Sequence, residues 1–327
     1  MSAIRNGEWI PKKIECLSIR KRANRKEISQ VVQELSAKYP ISELLKIAEI
    51  PRSTYYYYLN KGSDKDTYLE DEIKKIHEEN KGYGYRRMTI AVNNLDSHKD
   101  NRVNHKKILK TMRLLGIKAQ YKGVSRYNSY KGQIGKIAPN LLLEKRINDK
   151  GESYEYRNFE TNKPYEKLAT DVTEFKVGEY KVYLSPVIDM YNGEILAYSY
   201  STSPSLSMAK IMFNRLFEVL PKDTNPILHS DQGWQYQHRE IQKILKSNNI
   251  KQSMSRKGNC LDNSIMENFF GRMKCEMYYG YIFNSVEELE DEIDKYIYYY
   301  NNKRIKEKLK GLSPVQYRIQ SFNQSFY

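Results

Sequence analysis

The sequence predicts an α/β layer with a mixed five-stranded sheet in its second half, preceded by an all-α front half. Three observations predict it. From residue 168 onward, strand-like segments interleave with amphipathic helices in the order three strands, helix, strand, helix, strand, helix. Asn192-Gly193 stands between the second and third strands, a strong cue for a two-residue hairpin and so for an antiparallel meander. Before residue 120 the apolar residues recur at helical spacing.

Arg20 to Lys38 reads as a helix with Ile28, Val31, Val32 and Leu35 on one side, ended by Pro40. Ile41 to Ala48 is a second helix. Pro51-Arg52-Ser53-Thr54 opens a third, where proline suits the first turn because its missing N–H would be unpaired there anyway. Two short helices around a tight turn fit a helix-turn-helix, and equally a plain helical hairpin with Tyr55 and Tyr58 in its core. Lys61 to Asp66 is a polar linker. Leu69 to Glu79, Tyr85 to Leu95 and Asn104 to Leu115 follow as helices, the last with Ile108, Leu109, Met112 and Leu115 inward. Its outward face carries Lys106, Lys107, Lys110 and Arg113, and Gly116 sits where a helix C-cap prefers glycine. Lys118 to Lys136 reads as an extended basic arm.

Leu168 to Phe175, Lys181 to Met190 and Glu194 to Tyr200 are the meander strands. Ser207 to Leu220 is an amphipathic helix closed by Pro221, Pro226 to His229 a strand, Glu240 to Lys246 a helix and Ile250 to Met254 the last strand. Helices over Asn263 to Tyr278 and Val286 to Tyr300 complete the chain. The expected division is 1–62 and 63–120 as helical units, 121–160 as a basic arm, 161–280 as the α/β core and 281–327 as a C-terminal helix and tail.

The 327 residues include 55 Lys+Arg against 40 Asp+Glu, a net charge of +15. Aromatics make up 12%, with 29 tyrosines, unlike the aromatic-poor composition of disordered chains. No apolar run approaches the roughly 18–20 residues that span a bilayer, and residues 1–13 contain no apolar signal segment. Cys16, Cys260 and Cys275 make neither a disulfide framework nor a cysteine-rich zinc site. A membrane protein, a secreted mini-protein and a zinc finger are thereby excluded. A soluble protein of a reducing compartment remains, and the basic excess points to nucleic acid. That excess is uneven: residues 1–160 hold 33 basic and 20 acidic residues, a net of +13. Between Lys81 and Lys136 there are 14 basic residues and only Asp96 and Asp100 on the acidic side.

Three acids stand out by position: Asp171 within the first strand, Asp231 just past the fourth, and Glu267 on the helix after the fifth. A right-handed crossover lays the fourth strand parallel beside the first, which makes Asp171 and Asp231 neighbours at one end of the sheet. On the helix, Met266, Phe269, Phe270, Met273 and Met277 form one apolar stripe. Asn263, Glu267, Gly271 and Lys274 share the adjoining strip, where Lys274 can hold a phosphate. Adjacent carboxylates stay ionised together only with a cation between them. Three oxygen donors suit Mg²⁺ or Mn²⁺, and two such ions about 4 Å apart stabilise the attacking and leaving oxygens of an in-line phosphoryl displacement. A zinc site of His229, Asp231 and His238 is a rival at the same locus, weakened because no third imidazole lies nearby; His229 reads better as a packed strand residue.

Several segments resemble a known family. Thr170-Asp171-Val172-Thr173, His229-Ser230-Asp231-Gln232-Gly233 and Ser253 to Cys260 are similar to motifs of bacterial insertion-sequence transposases of the IS-three group, relatives of the retroviral integrases. So are Asp262-Asn263 and Glu267-Asn268-Phe269-Phe270-Gly271 with Lys274, and, near the C-terminus, Tyr300-Asn301, Arg304, Leu309 and Ser313-Pro314. The family spaces its second and third acids by 35 residues, the number between Asp231 and Glu267 here. Gly82 to Arg87 and Val103 to Ile117 resemble the helix-turn-helix region that precedes the family's catalytic part. Trp234 and Lys306 depart from the pattern, which more often has a small polar residue and a histidine. The zinc module of retroviral integrases has no counterpart, since Cys16 is the sole cysteine before the core.

The resemblance implies a ribonuclease-H-like catalytic core and metal-dependent DNA cleavage and strand transfer, with Asp171, Asp231 and Glu267 as catalytic residues holding two Mg²⁺ or Mn²⁺ ions. The residues assigned to DNA are Lys274, Arg256, Lys257 and Asn263 near the site, and Arg52, Ser53, Thr54, Arg86, Arg87, Lys106, Lys107, Lys110 and Arg113 in the helical half. The partners it implies are the element's terminal repeats and target DNA, further copies of the chain assembled on DNA, and an upstream-frame product. The place it implies is the bacterial cytoplasm, on the nucleoid. The alternatives are a DNA-binding regulator without catalysis and a plain metal-dependent nuclease.

Overall fold

The computed structural model describes residues 3–5, 8–10, 25–60, 64–119 and 136–324, which divide into two compact units, Met1–Ile76 and His77–Tyr327. Residues 20–24 of the first expected helix, 61–63 of the linker and 120–135 of the expected arm lie outside the described residues.

The first unit contains an antiparallel pair, β1 (Ala3–Arg5) with β2 (Glu8–Ile10), and helices α1 (Arg25–Leu35), α2 (Ile41–Ile47) and α3 (Arg52–Asn60). Val32, Leu44, Leu45, Ala48, Ile50 and Tyr55 form their common core. Pro40 precedes α2, and Glu49 turns the chain into α3 by taking a left-handed conformation (φ 53°). Tyr55 is core as the hairpin reading required, but Tyr58, its second core residue, is only half-buried and outside that cluster, and Tyr56 and Tyr57 face outward. Helix α4 (Asp64–Glu79) begins in the first of these units and ends in the second.

The second unit begins with α5 (Tyr85–Asn93) and α6 (His105–Leu114), which bury Met88, Val92, Ile108 and Met112. The Asn93 amide both donates to and accepts from Val103, pinning the connection, and the Asn104 side chain caps α6.

Within the span expected as a basic arm, residues 143–157 form a hairpin, β3 (Leu143–Ile147) with β4 (Ser153–Arg157). Its residues are mostly half-exposed and mix Lys, Arg and Glu, so no apolar alternation marks it in the sequence. The pairing is set by the turn instead, where Asn148 Oδ1 accepts from the Lys150 and Glu152 N–H groups.

The sheet has five lines. β5 (Lys167–Thr170) and β6 (Thr173–Val177) both pair antiparallel with β7 (Tyr180–Asp189), as one strand interrupted at Asp171-Val172. β8 (Ile195–Ser201) adds antiparallel to β7, while β9 (Ile227–Ser230) lies parallel to β5 and β10 (Lys251–Met254) parallel to β9. Helix α7 (Leu206–Val219) makes the crossover between β8 and β9. Alternation along β5 sends Leu168 to one face and Ala169 to the other. Leu168 packs with Met212, Phe213 and Leu216 of α7, with Tyr236 of the single turn α8 (Trp234–Gln237), and with Ile241 and Leu245 of α9 (Arg239–Ser247). Ala169 packs with Met266, Phe269, Phe270 and Met273 of α10 (Ser264–Met273) and with Ile293, Tyr296 and Tyr300 of α11 (Val286–Asn302). The chain beyond Met273 continues as a π turn, Lys274–Tyr278, where one regular helix was expected, and α12 (Pro314–Gln324) follows α11.

The expected two-residue hairpin is a longer loop. Asp189 and Glu194 close it, and Met190 to Gly193 form its tip, with Gly193 at φ +71°. Buried Asp189 sets the length: its carboxylate accepts from Tyr191 N and, across the chain, from Tyr165 N.

Candidate active site

Strand register places the two aspartates. Thr170 and Ser230 are paired across β5 and β9, so Asp171 and Asp231 each follow a matched residue at the same end of the sheet. The strand break at Asp171-Val172 gives the Asp171 carboxylate a local donor, Val172 N at 2.8 Å. Gly233 N donates to Asp231 Oδ1 at 2.8 Å, and a Cβ on Gly233 would stand 2.9 Å from that oxygen, so a side chain there would push the carboxylate aside. Beneath the pair, buried Tyr236 reaches Thr170 Oγ1 with its hydroxyl.

Glu267 comes from the first turn of α10, which is oriented by the Met266, Phe269, Phe270 and Met273 stripe buried against the sheet. Glu267 itself remains exposed on the adjoining side. Burial pushes the Asp171 carboxyl well above the usual carboxylate range, and the Asp231 and Glu267 charges push it further. Burial also raises Asp231 and Glu267. Among the described residues no ion pair with a lysine or arginine offsets these charges. Among the described residues no three His, Cys, Asp or Glu side chains stand close enough to enclose one ion. The two aspartates form the compact part of the set, and Glu267 acts on Asp171 from the helix. The donor set nonetheless fits a hard divalent cation: oxygen ligands only, like-charged, and short of a counter-charge.

The other assigned residues fall into distinct places. Asn263 is buried, its amide 3.5 Å from Thr170 O and its own Oδ1 without a hydrogen-bond partner. Lys274 is half-buried with Nζ 5.2 Å from the centre of the Phe175 ring, and burial lowers its pKa. Lys257 is exposed on the loop after β10. Arg256, assigned to phosphate, is instead occupied by Asp262, which it grips through Nε and Nη2, both at 2.9 Å. Arg87 is likewise turned inward, 3.6 Å from Glu276 and over the Tyr83 ring. In both cases a buried carboxylate, unseen as a partner in the sequence, outcompetes solvent for the guanidinium. Arg86 is exposed and pairs loosely with Glu307 at 3.4 Å. Lys106, Lys107, Lys110 and Arg113 are all exposed on α6, as their spacing predicted. In the first unit Arg52 and Ser53 are exposed at the start of α3, and Thr54 is half-buried.

Of the zinc rival, His229 is fully buried with Nδ1 2.8 Å from Ser253 Oγ, and His238 caps α9 through Glu240 N. Sequence reasoning gave no role to Asp262, Glu276 or Tyr236; Asp262 was visible beside Asn263, but its two arginine partners come from loop and hairpin positions that no periodicity connects.

Comparison with known proteins adds the following. Residues 161–260 and 267–322 each match a family described as Integrase core domain, and residues 63–124 match an HTH-like domain. The chain is 46% identical over 297 residues to the InsK protein of insertion sequence element IS150 from Escherichia coli K12, covering 90% of this chain and 98% of that one. It is 31% identical over 256 residues to the transposase of insertion sequence element IS904 from Lactococcus lactis, covering 76% and 92%. Among solved structures, the HTLV-2 integrase catalytic core domain in complex with magnesium aligns over 48% of this chain and 97% of that one, with 20% identity and a TM-score of 0.39.

Proposed function

Because the chain belongs to the insertion-sequence transposases of the IS-three family, with an integrase core and a helix-turn-helix-like segment, we propose that it cuts DNA at the ends of its element and joins those ends to target DNA. The observation that carries this reading is the juxtaposition of Asp171 and Asp231 one residue beyond the Thr170–Ser230 pair, both carboxyls raised and neither offset by a cation among the described residues.

Asp171, Asp231 and Glu267 would hold Mg²⁺ or Mn²⁺, which supplies charge neutralisation at the scissile phosphate and lowers the pKa of the nucleophile. The chain's own part is placement. The two aspartates come from the rigid sheet end, and Glu267 from a helix fixed by its buried stripe. Lys274 holds its ammonium against Phe175, where it can meet a phosphate oxygen beside Glu267. In cleavage, a water oxygen bonds to phosphorus and the 3′-oxygen leaves, taking up a proton. In joining, that 3′-hydroxyl gives up its proton, bonds to a target phosphorus and displaces the target's own 3′-oxygen. No oxidant or energy-rich cofactor is needed: cleavage is a hydrolysis, and in joining one phosphodiester replaces another. The exposed cations of α6 grip DNA backbone, a contribution that weakens as salt rises.

The test is strand cleavage and joining on oligonucleotides of the element's ends with Mg²⁺, wild type beside Glu267→Gln. Loss of both reactions with DNA binding retained supports the reading; activity unchanged by the substitution overturns the site. Wild-type binding with no strand chemistry identifies a regulator, and cleavage without joining identifies a nuclease.

A further inference from the structure

Asp262 sits in the short turn before α10, five residues ahead of Glu267, and its side chain is 1% exposed. Five donors converge on its carboxylate. Arg157 Nε (2.7 Å) and Arg256 Nη2 (2.9 Å) reach Oδ1, while Arg256 Nε (2.9 Å), Arg256 N (3.1 Å) and Asn140 Nδ2 (3.1 Å) reach Oδ2. These charges hold the Asp262 carboxyl well below the usual range despite its burial. The donors come from three separate places: the loop after β10, the segment before the β3–β4 hairpin, and the last residue of that hairpin. Arg256 also pairs with Glu155 of β4. The same segment is stitched to β10, where Leu141 N donates to Ser253 Oγ at 2.9 Å and Met254 N donates to Pro139 O at 3.3 Å. Ser253 is in turn bonded to His229 on the Asp231 strand.

Helix α10 has no side-chain cap at its start. Without one, the definition of its start falls to the 3₁₀ turn Cys260–Asn263 that runs directly into it. Here the clamp on Asp262 holds that turn from outside, and Asn263, the next residue, lies against Thr170 O beside Asp171. We propose that Asp262, clamped by Arg157 and Arg256, is a positioning residue that sets where Glu267 stands relative to Asp171 and Asp231, with the β3–β4 hairpin as the strap that holds it. This rests on Glu267 being a catalytic carboxylate.

The experiment uses the full chain with Arg157→Ala, Arg157→Lys, Asp262→Asn and Glu267→Gln. Mn²⁺ binding is read by electron paramagnetic resonance without DNA, and cleavage is read against Mg²⁺ concentration at saturating DNA. Arg157→Ala weakens Mn²⁺ binding and raises the Mg²⁺ requirement about 10-fold, the size typical of groups that orient metal ligands. Its DNA affinity is unchanged, and Arg157→Lys recovers part of the loss. Asp262→Asn does the same more strongly, and if that variant fails to fold, Arg157→Ala decides. Wild-type Mn²⁺ affinity and Mg²⁺ response in Arg157→Ala, with Glu267→Gln defective, overturn the positioning role alone. Mn²⁺ binding and cleavage both unmoved by Glu267→Gln overturn the site, and the positioning role with it.

Discussion

Arg304 grips Glu276 with two hydrogen bonds, Nε to Oε2 at 2.8 Å and Nη2 to Oε1 at 2.6 Å, and their side chains are 2% and 13% exposed. Tyr296 Oη donates to the same carboxylate at 3.0 Å, and the Arg87 guanidinium stands 3.6 Å away. Three segments meet there: the π turn that follows the Glu267 helix, the end of α11, and α5 of the helical pair. The guanidinium of Arg304 holds the Glu276 carboxyl below the usual range although burial acts to raise it. Removing one member of a buried pair strands the other charge, which costs about 3–5 kcal/mol. Glu276→Gln is expected to lose that much in urea unfolding. Arg87→Ala, which removes the longest contact, is expected to lose less; equal losses would mean that Arg87 carries more of the cluster than its distance implies.

Asp171 presents the opposite case, a buried carboxyl that accepts from Val172 N but faces no lysine or arginine among the described residues. Its raised pKa means that ionisation at neutral pH works against the folded state, because the carboxylate loses hydration and faces Asp231 and Glu267. Asp171→Asn is therefore expected to raise the melting temperature in the presence of a chelator while abolishing strand cleavage. Added Mg²⁺ should stabilise the wild type and leave the variant nearly unmoved. A variant less stable than wild type without metal would contradict the crowding of charge at this sheet end.

The sheet, its crossover and the aspartate pair were legible because each follows from local alternation and chain order, and the Thr170–Ser230 register delivers what the crossover rule required. Glu267 was legible from the apolar stripe at its side. Arg256 and Arg87, assigned to DNA by their charge, also hold carboxylates that charge alone does not reveal: Asp262, six residues along the chain from Arg256, and Glu276, far from Arg87 in sequence. Asp262 lies 105 residues from Arg157 in the chain, and Glu276 lies 28 from Arg304. No periodicity links such pairs. The β3–β4 hairpin was missed because its strands have no apolar face.

Lys306, which stands where the family pattern favours histidine, has a defined task. Its Nζ donates to Gly193 O at 3.0 Å, Asn192 O at 3.3 Å and Tyr300 Oη at 2.8 Å, so it fastens the β7–β8 loop to α11. Gly193 takes φ +71°, and a Cβ there would lie 2.5 Å from the Lys306 nitrogen. Gly193→Ala thus meets both backbone strain and a displaced ammonium, and a loss of about 1–3 kcal/mol is expected from thermal unfolding. A neutral outcome would show that the lysine relocates without cost.

The pH dependence of stability turns on two buried groups that act in opposite directions. Burial raises the Asp189 carboxyl to about 6 and lowers the His229 imidazole to about 4. Between pH 4 and 6 folded Asp189 keeps a proton that the unfolded chain has released, so its contribution falls as pH rises. His229 lacks a proton over pH 4 to 6.5 that the unfolded chain still holds, so its contribution rises with pH. Each effect amounts to about 3 kcal/mol, and in the wild type they largely cancel. Asp189→Asn removes one of them. The variant loses an acceptor for Tyr165 N or Tyr191 N at every pH, but its stability relative to wild type should climb by about 3 kcal/mol from pH 4 to pH 7. Urea unfolding of both proteins across that range measures the difference directly. Other titrating groups, present in both chains, drop out of it. A difference that stays flat with pH would place Asp189 among ordinary ionised carboxylates and leave the buried Tyr165 and Tyr191 contacts as its only contribution.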